Sequence, residues 1–169
     1  MPGRVPAPIP ANRLESADFL AACEAMPDAI VYFLLNVGDG DTQLILLPKD
    51  PDDPQDTRRA IVVDVATVSK LPALIEDLAG HGLLPADPQS GEFPIVVGTH
   101  PHDDHIGGMP QFLERFGRHI AEYWDSGYYH PTSAYLETMV QLEDLRKSLI
   151  VTQPTSGMVR YLGTVKITA

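Results

Sequence analysis

Cys23 is the only cysteine in the 169 residues, which excludes an intramolecular disulfide and a thiolate metal cluster. Basic residues are also scarce: 12 Lys and Arg stand against 23 Asp and Glu, for a net charge of −11. Such a surface repels polyanions unless a bound cation reverses the field locally, so nothing favours nucleic acid as a partner. The longest apolar run, AIVYFLL from Ala29 to Leu35, is seven residues, far short of the roughly 20 that a spanning helix needs. Residues 1–12, MPGRVPAPIPAN, hold four prolines and no apolar stretch, unlike a secretory signal. Together these absences suggest the cytoplasm and exclude a membrane partner. What is present, 44% apolar and 21% charged residues, is ordinary for a globular domain.

Strand and helix signals alternate along the chain. After a tail with a short helix over Asn12–Met26, together residues 1–28, the domain is expected over 29–169. Ala29–Val37 and Thr42–Pro48 read as a hairpin about the glycine turn Val37–Asp41. Lys49–Arg59 is a charged loop containing the solvated acidic run Asp50–Asp56, and Ala60–Ala66 is a buried strand. Leu71, Leu74, Ile75 and Leu78 form one helical stripe that Gly80 and Gly82 help to end. Pro85–Glu92 is a surface loop, Phe93–Thr99 a strand, Met109–Gly117 a short helix and His119–Trp124 a further strand. Ser133–Leu149 is a long helix with Leu136, Met139, Val140, Leu142, Leu145 and Leu149 on or near its inner face, and Met158–Ala169 a strand or tight hairpin. The order implies a mixed sheet covered by helices, an α/β layered fold.

Between the fourth strand and the next helix stands THPHDDHIGG, Thr99–Gly108, with three of the six histidines in His100–His105. Ligands gather where strands of layered α/β folds end. Pro101 keeps the segment extended until Asp104, and in extended chain His100 and His102 share a side and can converge on one ion. Asp104 and His105 then turn toward an adjacent position. Imidazole and carboxylate suit zinc, and Gly107 and Gly108 let the backbone pass close by.

HPHDDH resembles the HxHxDH signature of the metallo-β-lactamase superfamily. The context is similar as well: an N-terminal hairpin, a strand ending in Asp64 (VVDVA), an amphipathic helix and a strand leading into the signature. FLLNVGDGDTQLIL (Phe33–Leu46) and HIGG look like the branch related to bacterial competence proteins. The resemblance spans roughly residues 29–169 and implies an αβ/βα sandwich of which this chain is the N-terminal half, with up to two zinc ions, iron or manganese being alternatives. It places His100 and His102 on the first metal, Asp104 and His105 on the second, and Asp64 in support of the metal loop. The usual glycine soon after that aspartate is replaced in DVA (Asp64–Ala66). The family's later ligands, a histidine, a bridging aspartate and a final histidine, lie downstream, and after His105 this chain offers only His119 and His130. The missing sandwich half, or self-association, is the expected partner.

The implied activity is that of a metal-dependent hydrolase using a metal-bound hydroxide, which Asp104 orients and serves as proton acceptor and donor. Phosphodiesters or small anionic esters come ahead of β-lactams as substrates; a non-catalytic metal-binding half-domain is the alternative. Around the signature, His130 is either a loop histidine or a substrate contact or surrogate ligand. Asp125 and Ser126 form a turn or line the cleft, and Asp39 and Asp41 organise the glycine turn or support the metals from behind. Tyr128 and Tyr129 are expected to pack, His81 to cap a helix or sit on the surface, and His119 simply to begin a strand.

Overall fold

The computed structural model describes residues 16–52, 57–86 and 92–169. Its elements are α1 (Ser16–Glu24), β1 (Val31–Leu34), β2 (Thr42–Leu46), β3 (Ala60–Val65), α2 (Leu71–Gly80), β4 (Phe93–Gly98), α3 (Asp103–Ile106), α4 (Met109–Phe116), β5 (Ile120–Asp125), α5 (Ser133–Leu145), β6 (Ile150–Thr152), β7 (Val159–Leu162) and β8 (Val165–Thr168). Six strands form one sheet in chain order, β1 to β6. The first three pair antiparallel, β1 and β2 across the glycine turn and β2 and β3 across a longer connection. From β3 onward the pairing is parallel, and each parallel step carries its own helix, the connection such a step requires. The C-terminal ends of β3, β4 and β5 therefore lie side by side along one edge.

One sheet face and the helices share the main core. Leu44, Val62, Phe93 and Val96 pack there with Leu71, Leu78, Phe112 and Phe116, and Phe93 meets the rings of Phe112 and Phe116 edge-on at 5.9 and 5.8 Å. On the other face Leu47, Ile61, Ile95 and Trp124 lie under the β7–β8 hairpin, which contributes Met158, Leu162, Val165 and Ile167. Arg160 fixes that hairpin through a two-pronged bond to Glu122, 2.9 Å from Nε and 2.8 Å from Nη2. The cover stops short of β1, where Tyr32 and Leu34 are 53% and 65% exposed.

Several elements depart from the sequence expectation. The first strand is confined to Val31–Leu34. Helix α5 ends at Leu145, and Leu149 leads into the edge strand β6, whose three residues carry no periodicity to announce them. Tyr135, Thr138 and Leu142 are the buried face of α5, and Leu136 and Val140 point outward. The chain turns helical at Asp103 rather than after Asp104, because His102 is the last extended residue. Tyr128 and Tyr129 are mostly exposed, Tyr129 meeting only the edge of Tyr135 at 5.7 Å. The tail, residues 53–56 of the acidic run and residues 87–91 of the loop before β4 lie outside the described residues. Among the described residues, no helix is long and apolar enough to cross a membrane.

Candidate metal site

At the end of β3, Asp64 adopts φ 55°, the left-handed region that aspartate tolerates better than most side chains. This turn aims a buried carboxylate along the sheet edge toward β4. Its Oδ1 accepts the Thr99 N–H at 2.8 Å, and its Oδ2 accepts the Thr99 hydroxyl at 2.6 Å and faces His105 Nδ1 at 2.8 Å. With three donors, a buried anion at this position is fully satisfied.

Backbone packing brings three segments against one another here. The Asp41 N–H donates to the Asp104 carbonyl at 2.9 Å, and the Gly108 N–H donates to Val65 at 2.8 Å. A Cβ on Gly40 would lie 2.5 Å from the Asp104 oxygen, and one on Gly108 would lie 2.8 Å from Thr67 Cα. Glycine is required at both positions by close approach. The glycine turn after β1 and the HIGG segment thus hold the histidine loop from two sides, and buried Ile106 anchors it from below.

Above this base the rings of His100 and His102 stand 4.9 Å apart, those of His100 and His105 3.6 Å, and those of His102 and His130 4.8 Å. Ligand atoms of His100, Asp104 and His105 all fall within 4.8 Å of one another, and so do those of Asp41, Asp64 and His105; His102 and His130 belong to neither group. Hydrogen bonding selects the tautomers. His105 Nδ1–H points to Asp64, which leaves Nε2 with its lone pair on the open side. The Thr99 hydroxyl has spent its proton on Asp64, so toward His100 Nδ1, 3.2 Å away, it acts as acceptor, and the Nε2 of His100 is likewise left to act as a ligand. Thr99 is the residue that motif reading passed over. Its place directly before the first histidine was the only signal.

The remaining candidates are distributed around this centre. Asp39 is exposed in the β1–β2 turn, and Asp41 Oδ2 comes to 3.9 Å of His105 Nδ1. Asp125, buried at the end of β5, accepts from the Gly127 N–H at 3.0 Å and from Gln153 at 3.4 Å. It shares a small cleft with Gly98, His100, Tyr123, Ser126 and Tyr135; burial, and then the charge of Asp125, hold the Tyr123 hydroxyl protonated far above its ordinary range. His81 lies at the end of α2, 3.1 Å from Glu24. His119 is at the opposite edge of the sheet, with a buried Nδ1 that has no hydrogen-bond partner. The donor set at the centre is imidazole nitrogen and carboxylate oxygen with no sulfur, which fits a divalent ion such as zinc, manganese or iron.

A family model described as "Metallo-beta-lactamase superfamily" matches residues 55–161. No curated protein matches. Among solved structures, a Thermotoga maritima protein provisionally described as a metallo-beta-lactamase is similar over 76% of this chain and 61% of its own, at 15% identity and a TM-score of 0.38. The chain thus spans under two thirds of that protein's length.

Proposed function

The chain belongs to the metallo-beta-lactamase superfamily, and on that premise we propose that it carries the metal-binding centre of a metal-dependent hydrolase acting on phosphodiesters or small anionic esters. The observation behind this reading is the cluster of His100, Asp104 and His105, with the Nδ1 of both histidines occupied by Thr99 and Asp64. In this reading His100 and His102 hold one ion, and Asp104 and His105 hold a second. Zinc is the first expectation, with manganese or iron as substitutes. Bound there, such ions supply Lewis acidity that activates water at neutral pH and offsets charge on the substrate.

The chain's own residues do the rest. Asp64 fixes the orientation and tautomer of His105. Asp104, exposed on the first turn of α3 with Oδ2 3.7 Å from His105 Nε2, would in this reading accept and return the proton of the reacting water. An anionic substrate is preferred because ions in this cleft provide the local positive field that a chain of charge −11 otherwise lacks. The incomplete cover over Tyr32 and Leu34 supports a further layer on that face, from a missing sandwich half or a second copy. The buried thiol of Cys23 accords with a cytoplasmic setting.

The test is elemental analysis of protein purified without chelator, together with bis(p-nitrophenyl) phosphate hydrolysis under added zinc or manganese. The expected result is stoichiometric metal that the His100→Ala/His102→Ala variant loses, and turnover that His102→Ala abolishes. Unchanged metal content in the double variant removes the proposed site. Metal without turnover in any form of the protein leaves a non-catalytic metal-binding domain.

A further inference from the structure

We propose that Glu92 and His119, at the strand-start edge of the sheet, form a second site that takes a small cation bearing a guanidinium or amidinium group. The site shares no residue with the histidine loop, so the proposal stands apart from the metal-centre reading.

Register brings the two residues together. Phe93 of β4 pairs with Ile120 of β5, so Glu92 and His119, one residue earlier in each segment, stand side by side where the two strands begin. They border one cavity of about 240 Å³ together with Ile75, Glu76, Arg115 and Phe116. Arg115 and Glu76 pair with each other and are 51% and 63% exposed, which places them on its outer wall. Glu92 is the opposite case. It is 3% exposed, and neither its two oxygens nor His119 Nδ1 has a hydrogen-bond partner. Folded proteins satisfy nearly all such groups, because a buried acceptor without a donor is destabilising. Neighbouring acceptors in this state on a single cavity mark a place where donors arrive from outside the chain.

The chemistry of the ligand follows from these atoms. A carboxylate presents two oxygens in one plane, which two parallel N–H groups of a guanidinium or amidinium match at once. His119 Nδ1, with the ring proton on Nε2, accepts a further N–H. Charge agrees. Burial pushes the Glu92 carboxyl up to about 7, and an incoming cation favours its ionised form. Arg115 is already matched by Glu76, which leaves the ionised carboxylate as the uncompensated charge of the cavity. Ile75 and Phe116 favour a short alkyl body behind the cation. Access comes through the outer wall, where the exposed Arg115–Glu76 pair parts at little cost.

The test titrates the full chain at pH 8, without metal, with butylguanidine and with butylammonium, which has the same body and no N–H fork; binding is read by calorimetry. Expected is one equivalent of butylguanidine bound at least about 10-fold more tightly than butylammonium. Glu92→Gln should weaken it at least about 10-fold and His119→Ala about 3-fold. The amide of Glu92→Gln carries no buried charge, so this variant should fold at least as well as the natural protein. N-acetylarginine methylamide is the third ligand: tighter binding than butylguanidine identifies the cation as an arginine of a peptide, weaker binding as a free small molecule, and either upholds the site. Absence of saturable guanidine binding up to about 20 mM, unchanged affinity in either variant, or equal binding of butylammonium overturns the proposal.

Discussion

The two edges of the sheet both bury charge, and they neutralise it differently. At the C-terminal edge Asp64 is matched by three donors, two of them from the single residue Thr99. At the opposite edge Arg58, 0% exposed, has no carboxylate partner among its described bonds. Its guanidinium donates to backbone carbonyls of Leu47 (2.5 Å), Cys23 (3.3 Å), Ala29 and Leu46 (3.4 Å), joining the end of α1 and the end of β2 to the start of β3. Burial, its largest influence, lowers the Arg58 pKa. Also at this edge, Glu92, 3% exposed, has both oxygens without a hydrogen-bond partner. The strand-start edge is therefore a structural clasp that tolerates one unsatisfied acid, and the strand-end edge is a satisfied network with nitrogen lone pairs left pointing outward. A surplus of unused ligand capacity marks a binding site more clearly than buried charge does.

The sharpest way to break this comparison is Arg58→Met. It leaves several buried carbonyls without a donor and should cost about 3 to 5 kcal/mol in urea unfolding while sparing the geometry of the histidine loop. A loss under 1 kcal/mol would mean that the clasp is not structural. Asp64→Asn is the counterpart at the other edge. Asparagine keeps the shape but cannot accept from His105 with the oxygen it gives to Thr99, so the imidazole changes tautomer. Zn(II) affinity should fall on the order of 10- to 100-fold, with about 1 to 2 kcal/mol lost in stability; unchanged affinity would remove Asp64 from the metal centre.

Glu92 predicts a pH dependence. Burial pushes its carboxyl up to about 7 in the fold from an ordinary 4.5. The folded state then holds the proton more tightly than the unfolded chain, so stability declines as pH rises from about 4.5 through about 7 and levels off above. Glu92→Gln should flatten that decline, gaining about 3 kcal/mol over the natural protein at pH 8 and nothing at pH 4. Parallel urea curves across this range would discard the assignment. Smallest is the hairpin clamp. Burial alone would raise the Glu122 carboxyl, but hydrogen bonds from Arg160 and Thr152 and the Arg160 charge bring it below the usual range. Its contribution is present above the ordinary carboxylate pKa and is lost as pH falls through the lowered one. Arg160→Ala should remove that acid-side loss and loosen the hairpin, read at pH 7 as greater exposure of Trp124 to a fluorescence quencher.

Much of this was legible before any coordinates. The continuous apolar runs Ala60–Ala66 and Phe93–Thr99, buried on both faces in the structure, and the helical stripe Leu71–Leu78 announced a mixed sheet covered by helices, because unbroken apolar strands need a layer on each side. The β6 strand and the phase of α5 were hidden, since β6 is three residues at an edge. The exposed Leu136 and Val140 form as good an apolar row as the buried Tyr135, Thr138 and Leu142, and only packing into the main core chooses between them.

By itself, the sequence determined which groups can bind metal and in what local order, because HPHDDH confines His100, Asp104 and His105 to a few residues of chain and Pro101 restricts how that chain turns. Only the tertiary structure decided which nitrogens are available. The lone pairs of His100 and His105 depend on Thr99 and on Asp64, which is 41 residues away from His105 in sequence, and the approach of His130 to His102 depends on where α5 begins. Tautomer and ring spacing are set by hydrogen bonds and close packing between segments that meet only when the sheet is assembled, and no local pattern encodes such a meeting.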